Sequence, residues 1–162
     1  MEFDAFRQFV ESNIDWFRGR LPETESTLAR YEADLGCRLP ASIKWLLSTH
    51  GYWHATGIPN LNESVALTLE LRQSITLPNH FVILADHSDG GVVVLDSSSP
   101  TLDGEFTIHD VDATALHGLD SQPLAPDIFY NSFGRYAESV LESQRSIIAP
   151  PDVTYDPLAF GD

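Results

Sequence analysis

The chain holds a single cysteine, Cys37, and a single lysine, Lys44, among its 162 residues. One thiol excludes an internal disulfide and any zinc site built from several cysteines, and it suits a reducing compartment. Long hydrophobic runs are also missing. A membrane helix needs roughly 18 uncharged apolar residues, whereas the longest candidate, Phe81 to Ala85 with Val92 to Leu95, is split by Asp86-His87-Ser88-Asp89-Gly90-Gly91. The opening Met1-Glu2-Phe3-Asp4-Ala5 has neither the basic start nor the apolar core of a signal peptide. A cytoplasmic protein with no membrane attachment is therefore expected. Scarcest of all is positive charge. Residues 1–60 carry eight acids against six basic groups, residues 61–162 carry sixteen against three, and the whole chain stands at −15. No Lys or Arg occurs from Gln73 to Gly134, a segment with nine Asp or Glu residues. Phosphate backbones are repelled by such a surface, which argues against nucleic acid as a ligand. A basic protein would be attracted and steered onto it. Acidity by itself also keeps proteins soluble, but an uncompensated run of this length favours a partner.

What is present is a core. With 43% hydrophobic residues, a chain of this length buries roughly 70% of its unfolded surface and needs no disulfide or metal staple. Phe3, Phe6, Val10, Ile14 and Phe17 recur at helical spacing, which predicts an opening amphipathic helix that Gly19 stops. Thr24 predicts the cap of a second helix with Leu28, Tyr31 and Leu35 inside and Gly36 at its end. Pro40 suits the first position of a third, with Ile43, Leu46 and Leu47 inward and Gly51 beyond it. The period then changes to two. Val65, Leu67, Leu69 and Leu71 alternate with Ala66, Thr68, Glu70 and Arg72, which favours a half-buried strand and leaves a short helix as the alternative. His80 to Ala85 and Val92 to Leu95 read as strands covered on both faces, joined at the Asp89-Gly90-Gly91 turn. Gly104 to Val111 alternates again, with Phe106 and Ile108 on one face and Glu105, Thr107 and His109 on the other. Pro123 and Pro126 mark loops, and Asn131 or Ser132 caps a last helix with Phe133, Tyr136 or Ala137, Val140 and Leu141 inside. Pro150-Pro151 closes one domain over 1–150 and leaves 151–162 as a tail. Helices first, a hairpin-connected antiparallel sheet and a closing helix packed on it make an α+β fold.

Catalytic constellations are absent from this pattern. His50 and His54 have the spacing of helical metal ligands, but Gly51 breaks the helix between them and no glutamate follows His50. The run Asp86-His87-Ser88-Asp89-Gly90 holds the residue types of a triad, yet contiguous residues rarely reach triad geometry, and it departs from the calcium-loop pattern. There is no nucleophile elbow, P-loop or dinucleotide fingerprint. Arg38 beside Cys37 would lower its pKa somewhat, but without a general base the thiol reads as structural or incidental. No cofactor, metal or catalytic residue is expected, and a hydrolase built on Asp86, His87 or His109 would lack a scaffold. Tyr52-Trp53-His54 follows the third helix as an aromatic loop, suited equally to an interface anchor and to finishing the core. The carboxylates Asp86, Asp89, Asp103, Glu105, Asp110 and Asp112 fall at strand ends and turns of the segment without positive charge. With Tyr52 and Trp53 they form the expected partner-binding set.

Leu35-Gly36 followed by Leu39-Pro40, a helix running to Gly51, a strand–turn–strand from Asp86 to Asp96 and a helix opening at Ser132-Phe133 together resemble the SUKH superfamily across residues 20–145. That superfamily takes in fungal cell-wall-assembly regulators and bacterial immunity proteins. His50 stands where the family usually has asparagine, and Gly134 where it is often acidic. The resemblance implies an α+β fold and, for bacterial members, binding and inactivation of a toxin, frequently a nuclease. It implies a cognate, basic toxin as partner, with a regulatory scaffold of the same fold as the alternative. The motif residues are architectural, so the recognition surface lies elsewhere.

Overall fold

The computed structural model describes residues 1–147 apart from 53, 88, 89, 102, 118, 120–123 and 125–127. The helices α1 (Phe3–Ser12), α2 (Ile14–Phe17), α3 (Glu25–Leu35), α4 (Ala41–Thr49) and α5 (Leu61–Ser74) precede strands β1 (Phe81–Asp86), β2 (Gly91–Asp96), β3 (Thr107–Asp112) and β4 (Ile128–Tyr130), and α6 (Phe133–Ile147) closes the order. The strands pair antiparallel in the order β1-β2-β3-β4. This is the expected α+β architecture, with the last helix packed against the sheet. The expected tail and the loops at Pro123 and Pro126 lie outside the described residues.

Local chemistry explains most element ends. Thr24 Oγ1 accepts from the Thr27 N–H at 3.1 Å, and Gly36 ends α3 at φ +68. The opening helix is broken where one was expected: Asn13, at φ −127, separates α1 from α2 and donates its side-chain amide to the Phe9 carbonyl at 2.7 Å. Pro40 precedes α4 as its cap residue, one position earlier than expected. Proline brings no side-chain oxygen to that cap. The acceptor comes instead from Glu105, whose carboxylate takes the Ser42 N–H at 3.1 Å and the Ser42 hydroxyl at 2.6 Å.

The strand favoured over 65–71 is helix α5, the alternative left open by the sequence. Asn60 caps it, accepting from the N–H groups of Asn62 and Glu63. Its buried positions are Leu61, Ser64, Val65 and Thr68, a three-and-four spacing in which two members are polar and so hide the stripe. Those polar members meet the edge of β1. Ser64 Oγ donates to the Leu84 carbonyl at 2.9 Å, Thr68 Oγ1 accepts from the Ile83 N–H at 2.9 Å, and Arg72 donates to the Phe81 carbonyl at 3.2 Å. Residues four apart on one helix thus stand in for a missing strand and cover an edge that would otherwise be open to pairing.

Directly opposed residues of antiparallel strands share a face. Val82, Val93, Leu95 and Ile108 join Phe6, Phe17, Leu47 and Phe133 in the larger apolar cluster. Ile83, Val92, Val94 and Val111 join Leu77 and Leu116 in the smaller one on the other face. Helix α6 enters at Ser132, whose Oγ accepts from the Arg135 N–H, and buries Phe133, Tyr136, Ala137 and Leu141. The Phe133 ring meets Phe6 edge-on at 5.8 Å.

Candidate partner-binding cleft

Between α6 and the strand ends beside the β1–β2 turn lies an open cleft of about 670 Å³. Ala85 and Asp110 form its floor, because both pair with Val93 and therefore share one face of the sheet. One wall is a single helical stripe of α6, Tyr136, Ser139, Val140, Ser143 and Gln144. Tyr52 and the loop Gly57-Ile58-Pro59 form the other, and His87 and Tyr130 complete the lining.

Each tyrosine is held in place by its hydroxyl. Tyr136 Oη donates to the Gly57 carbonyl at 3.1 Å and so ties the two walls together. Gly57 is required there twice over: its φ is +68, and a Cβ would sit 2.6 Å from the Tyr136 ring. Tyr130 and Ser139 share a hydroxyl–hydroxyl bond of 3.1 Å, and the Tyr130 and Tyr136 rings meet edge-on at 5.6 Å. The Tyr52 backbone bridges to Arg20 on both sides, at 2.9 and 3.2 Å. Its hydroxyl donates to Glu23 Oε1 at 2.7 Å and accepts from the Leu61 N–H at 3.3 Å. Burial, reinforced by Glu23, pushes the Tyr52 hydroxyl pKa far up. Burial does the same to Tyr136, with Asp110 adding to it. Both therefore stay protonated at any physiological pH. Asp110 itself is half-buried, and among the described residues no cation or hydrogen-bond donor pairs with its side chain.

The expected partner-binding residues scatter. Tyr52 and Asp110 come together in the cleft. Asp112 follows on the same face of β3, exposed, with its carboxylate accepting from the Thr114 N–H at 2.8 Å and hydroxyl at 2.6 Å; those bonds lower its pKa. Asp86 is exposed at the end of β1 and opposes Val92, which places it on the other face. Asp86 and Asp112 lie on either side of β2, roughly 10 Å apart by strand spacing. Asp103 is exposed in the turn before β3, at the opposite end of the sheet. Glu105 corrects the expectation outright: it is 2% exposed and caps α4, so its carboxylate is unavailable to a partner. Trp53 and Asp89 lie outside the described residues.

The other titratable groups are engaged elsewhere. His109 lies on the face opposite the cleft, 3.9 Å from Asp96 and stacked on Phe129 at 6.2 Å, and burial lowers its pKa. His50 sits edge-on to Trp45 at 5.2 Å, and burial lowers it too. The Cys37 thiol is pushed up by burial despite nearby Ser97 and Arg72, the reverse of the depression that Arg38 suggested. Among the described residues no cluster of three or more His, Cys, Asp or Glu could hold a metal ion, and no helix is long and apolar enough to cross a membrane. Sequence reasoning missed the tyrosine pair and Gly57. Tyr136 was legible only as a core position, and Tyr130 belongs to a strand with no alternating pattern.

The model of the SMI1/KNR4 family (SUKH-1) matches residues 22–139, a span that contains the cleft floor, the Tyr52 wall and the first turns of the α6 wall. No curated protein matches the chain.

Proposed function

From the premise that the chain belongs to the SMI1/KNR4 family (SUKH-1), we propose that it is an immunity protein that captures and neutralises a basic bacterial toxin in the cytoplasm by binding alone. The observation that carries this reading is the hairpin end of the sheet. There Asp110 lies on the floor of an open, tyrosine-walled cleft, Asp112 follows it on the same face of β3 and Asp86 ends β1 on the other face, in a segment with no Lys or Arg from Gln73 to Gly134. Asp110 and Asp112, two residues apart on one face of β3, repel each other, and a cationic partner relieves that repulsion. Tyrosines give such a partner rigid contact area. Their hydroxyls, fixed in structural bonds and kept protonated by burial, support a binding role over a catalytic one. A nuclease toxin fits best, since its own substrate groove must be basic to hold phosphates.

The test is co-expression with the product of the neighbouring gene, read as rescue of growth where that product is toxic. Growth should be restored, and the two chains should elute as one complex with a defined ratio. Continued toxicity with no complex would overturn the reading and favour a regulatory scaffold of the same fold.

A further inference from the structure

The cleft has a chemistry narrower than general acidity. Its floor carries one formal negative charge, Asp110, to which no described residue supplies a counter-charge or a donor. The arginines of α6 do not supply one: Arg135 is paired with Glu138, and Arg145 bonds to Asn13 with its guanidinium 5.9 Å over Trp16. Around Asp110 stand aromatic rings, with Tyr136 close enough for the carboxylate to raise its pKa. Tyr130 lies 5.6 Å from Tyr136 and is only half-buried. Ser139, Ser143 and Gln144 add neutral polar atoms along one wall.

We propose that this cleft is the receptacle for a single arginine side chain of the protein partner, with the guanidinium forked onto Asp110 and its plane against the tyrosine rings. The inference rests on the binding role proposed above and specifies what the partner inserts. Three features select the occupant. A lone carboxylate in a partly desolvated cleft attracts a cation more strongly than one in open water. Aromatic faces attract cations over the ring, arginine more often than lysine. A planar fork engages both carboxylate oxygens while stacking, which a compact ammonium does not do. The volume, about 670 Å³, lies within the range of clefts that take a ligand and leaves room for the flanking backbone of a protruding loop.

The probe is the capped tripeptide acetyl-Gly-Arg-Gly-amide, followed by amide chemical shifts of the labelled full chain. Saturable shifts are expected at Gly57, Asp110 and Tyr136. The same tripeptide with citrulline, a neutral isostere of arginine, should shift none of them, and the lysine peptide should bind several-fold more weakly. Asp110→Asn preserves shape and removes the charge; it should weaken the arginine peptide by about tenfold or more while the melting temperature holds. Tyr130→Leu should weaken binding and Tyr130→Phe should retain it, which separates the ring from its hydroxyl bond to Ser139. Equal shifts from the citrulline peptide, no saturable shift with the arginine peptide, or full affinity in Asp110→Asn each overturn the inference. Restored growth alongside any of these outcomes leaves toxin neutralisation standing and removes only the arginine receptacle.

Discussion

Glu105 is 2% exposed, and its two bonds from Ser42 offset only part of the cost of burying a carboxylate, so its pKa is raised. For a carboxyl raised on folding, stability is fully present below the ordinary carboxylate range. It is lost as pH rises, because the unfolded chain ionises first and the folded one follows at its higher value. Glu105→Gln keeps an acceptor for the Ser42 N–H and removes that loss. The variant should therefore match or exceed the wild type in urea midpoint at pH 7, and the wild type should gain on it as pH falls toward about 4. Glu105→Ala should instead cost about 1–3 kcal/mol, because a buried helix N–H is left without an acceptor. A wild type that loses ground to Glu105→Gln on acidification would contradict the raised pKa. Gly57 offers a second test at this scale. Gly57→Ala meets both a left-handed φ and the Tyr136 ring, so a loss of about 1–3 kcal/mol is expected. Tyr136 fluorescence or shifts should report the displaced ring.

At the scale of elements, α5 is instructive because its design is polar where it is buried. Thr68 is fully buried, bonds the Ser64 carbonyl at 2.7 Å and accepts from the Ile83 N–H at 2.9 Å. Thr68→Val keeps the shape and orphans that strand N–H, so a cost of about 1–3 kcal/mol is expected, with faster amide exchange at Ile83. An unchanged exchange rate would show that the helix does not guard the edge. The same chemistry explains why the sequence misled over 65–71. Period-two leucines stood out because two of the four true core positions, Ser64 and Thr68, are hydroxyl residues. α3 was legible because Thr24 and Gly36 mark both of its ends. β4 was not, since Ile128 and Phe129 are 51% and 60% exposed and give no inside–outside alternation. α6 was legible from its stripe, and Phe133 is its anchor. Phe133→Ala should cost about 3–5 kcal/mol in chemical denaturation, and a near-neutral result would mean the ring is not holding the helix.

At the scale of the whole molecule, the sequence showed how much negative charge there is but not where it gathers. Asp103 and Glu105 are close in sequence to Asp110, yet one sits at the far end of the sheet and the other in the core. Strand register decides this, and register depends on pairings that no local pattern displays. Among the described residues, Asp86, Asp110 and Asp112 remain as the carboxylates at the hairpin end. If they steer a basic partner, their effect lies chiefly in the association rate, and salt should weaken it. Neutralising them together as Asp86→Asn, Asp110→Asn and Asp112→Asn preserves shape, and the amide oxygen left at position 112 still accepts from Thr114 to cap the turn. The triple variant should associate with the proposed basic partner several-fold more slowly than wild type at about 0.01 M ionic strength, where the Debye length is about 30 Å. The two association rates should converge near 1 M, where it shrinks to about 3 Å. Dissociation should change mainly through Asp110, the one of the three inside the cleft, so Asp86→Asn with Asp112→Asn alone should slow association and leave dissociation unchanged. Association at the wild-type rate across that whole range would reduce these acids to a solubilising role and leave the tyrosine walls as the determinant of binding.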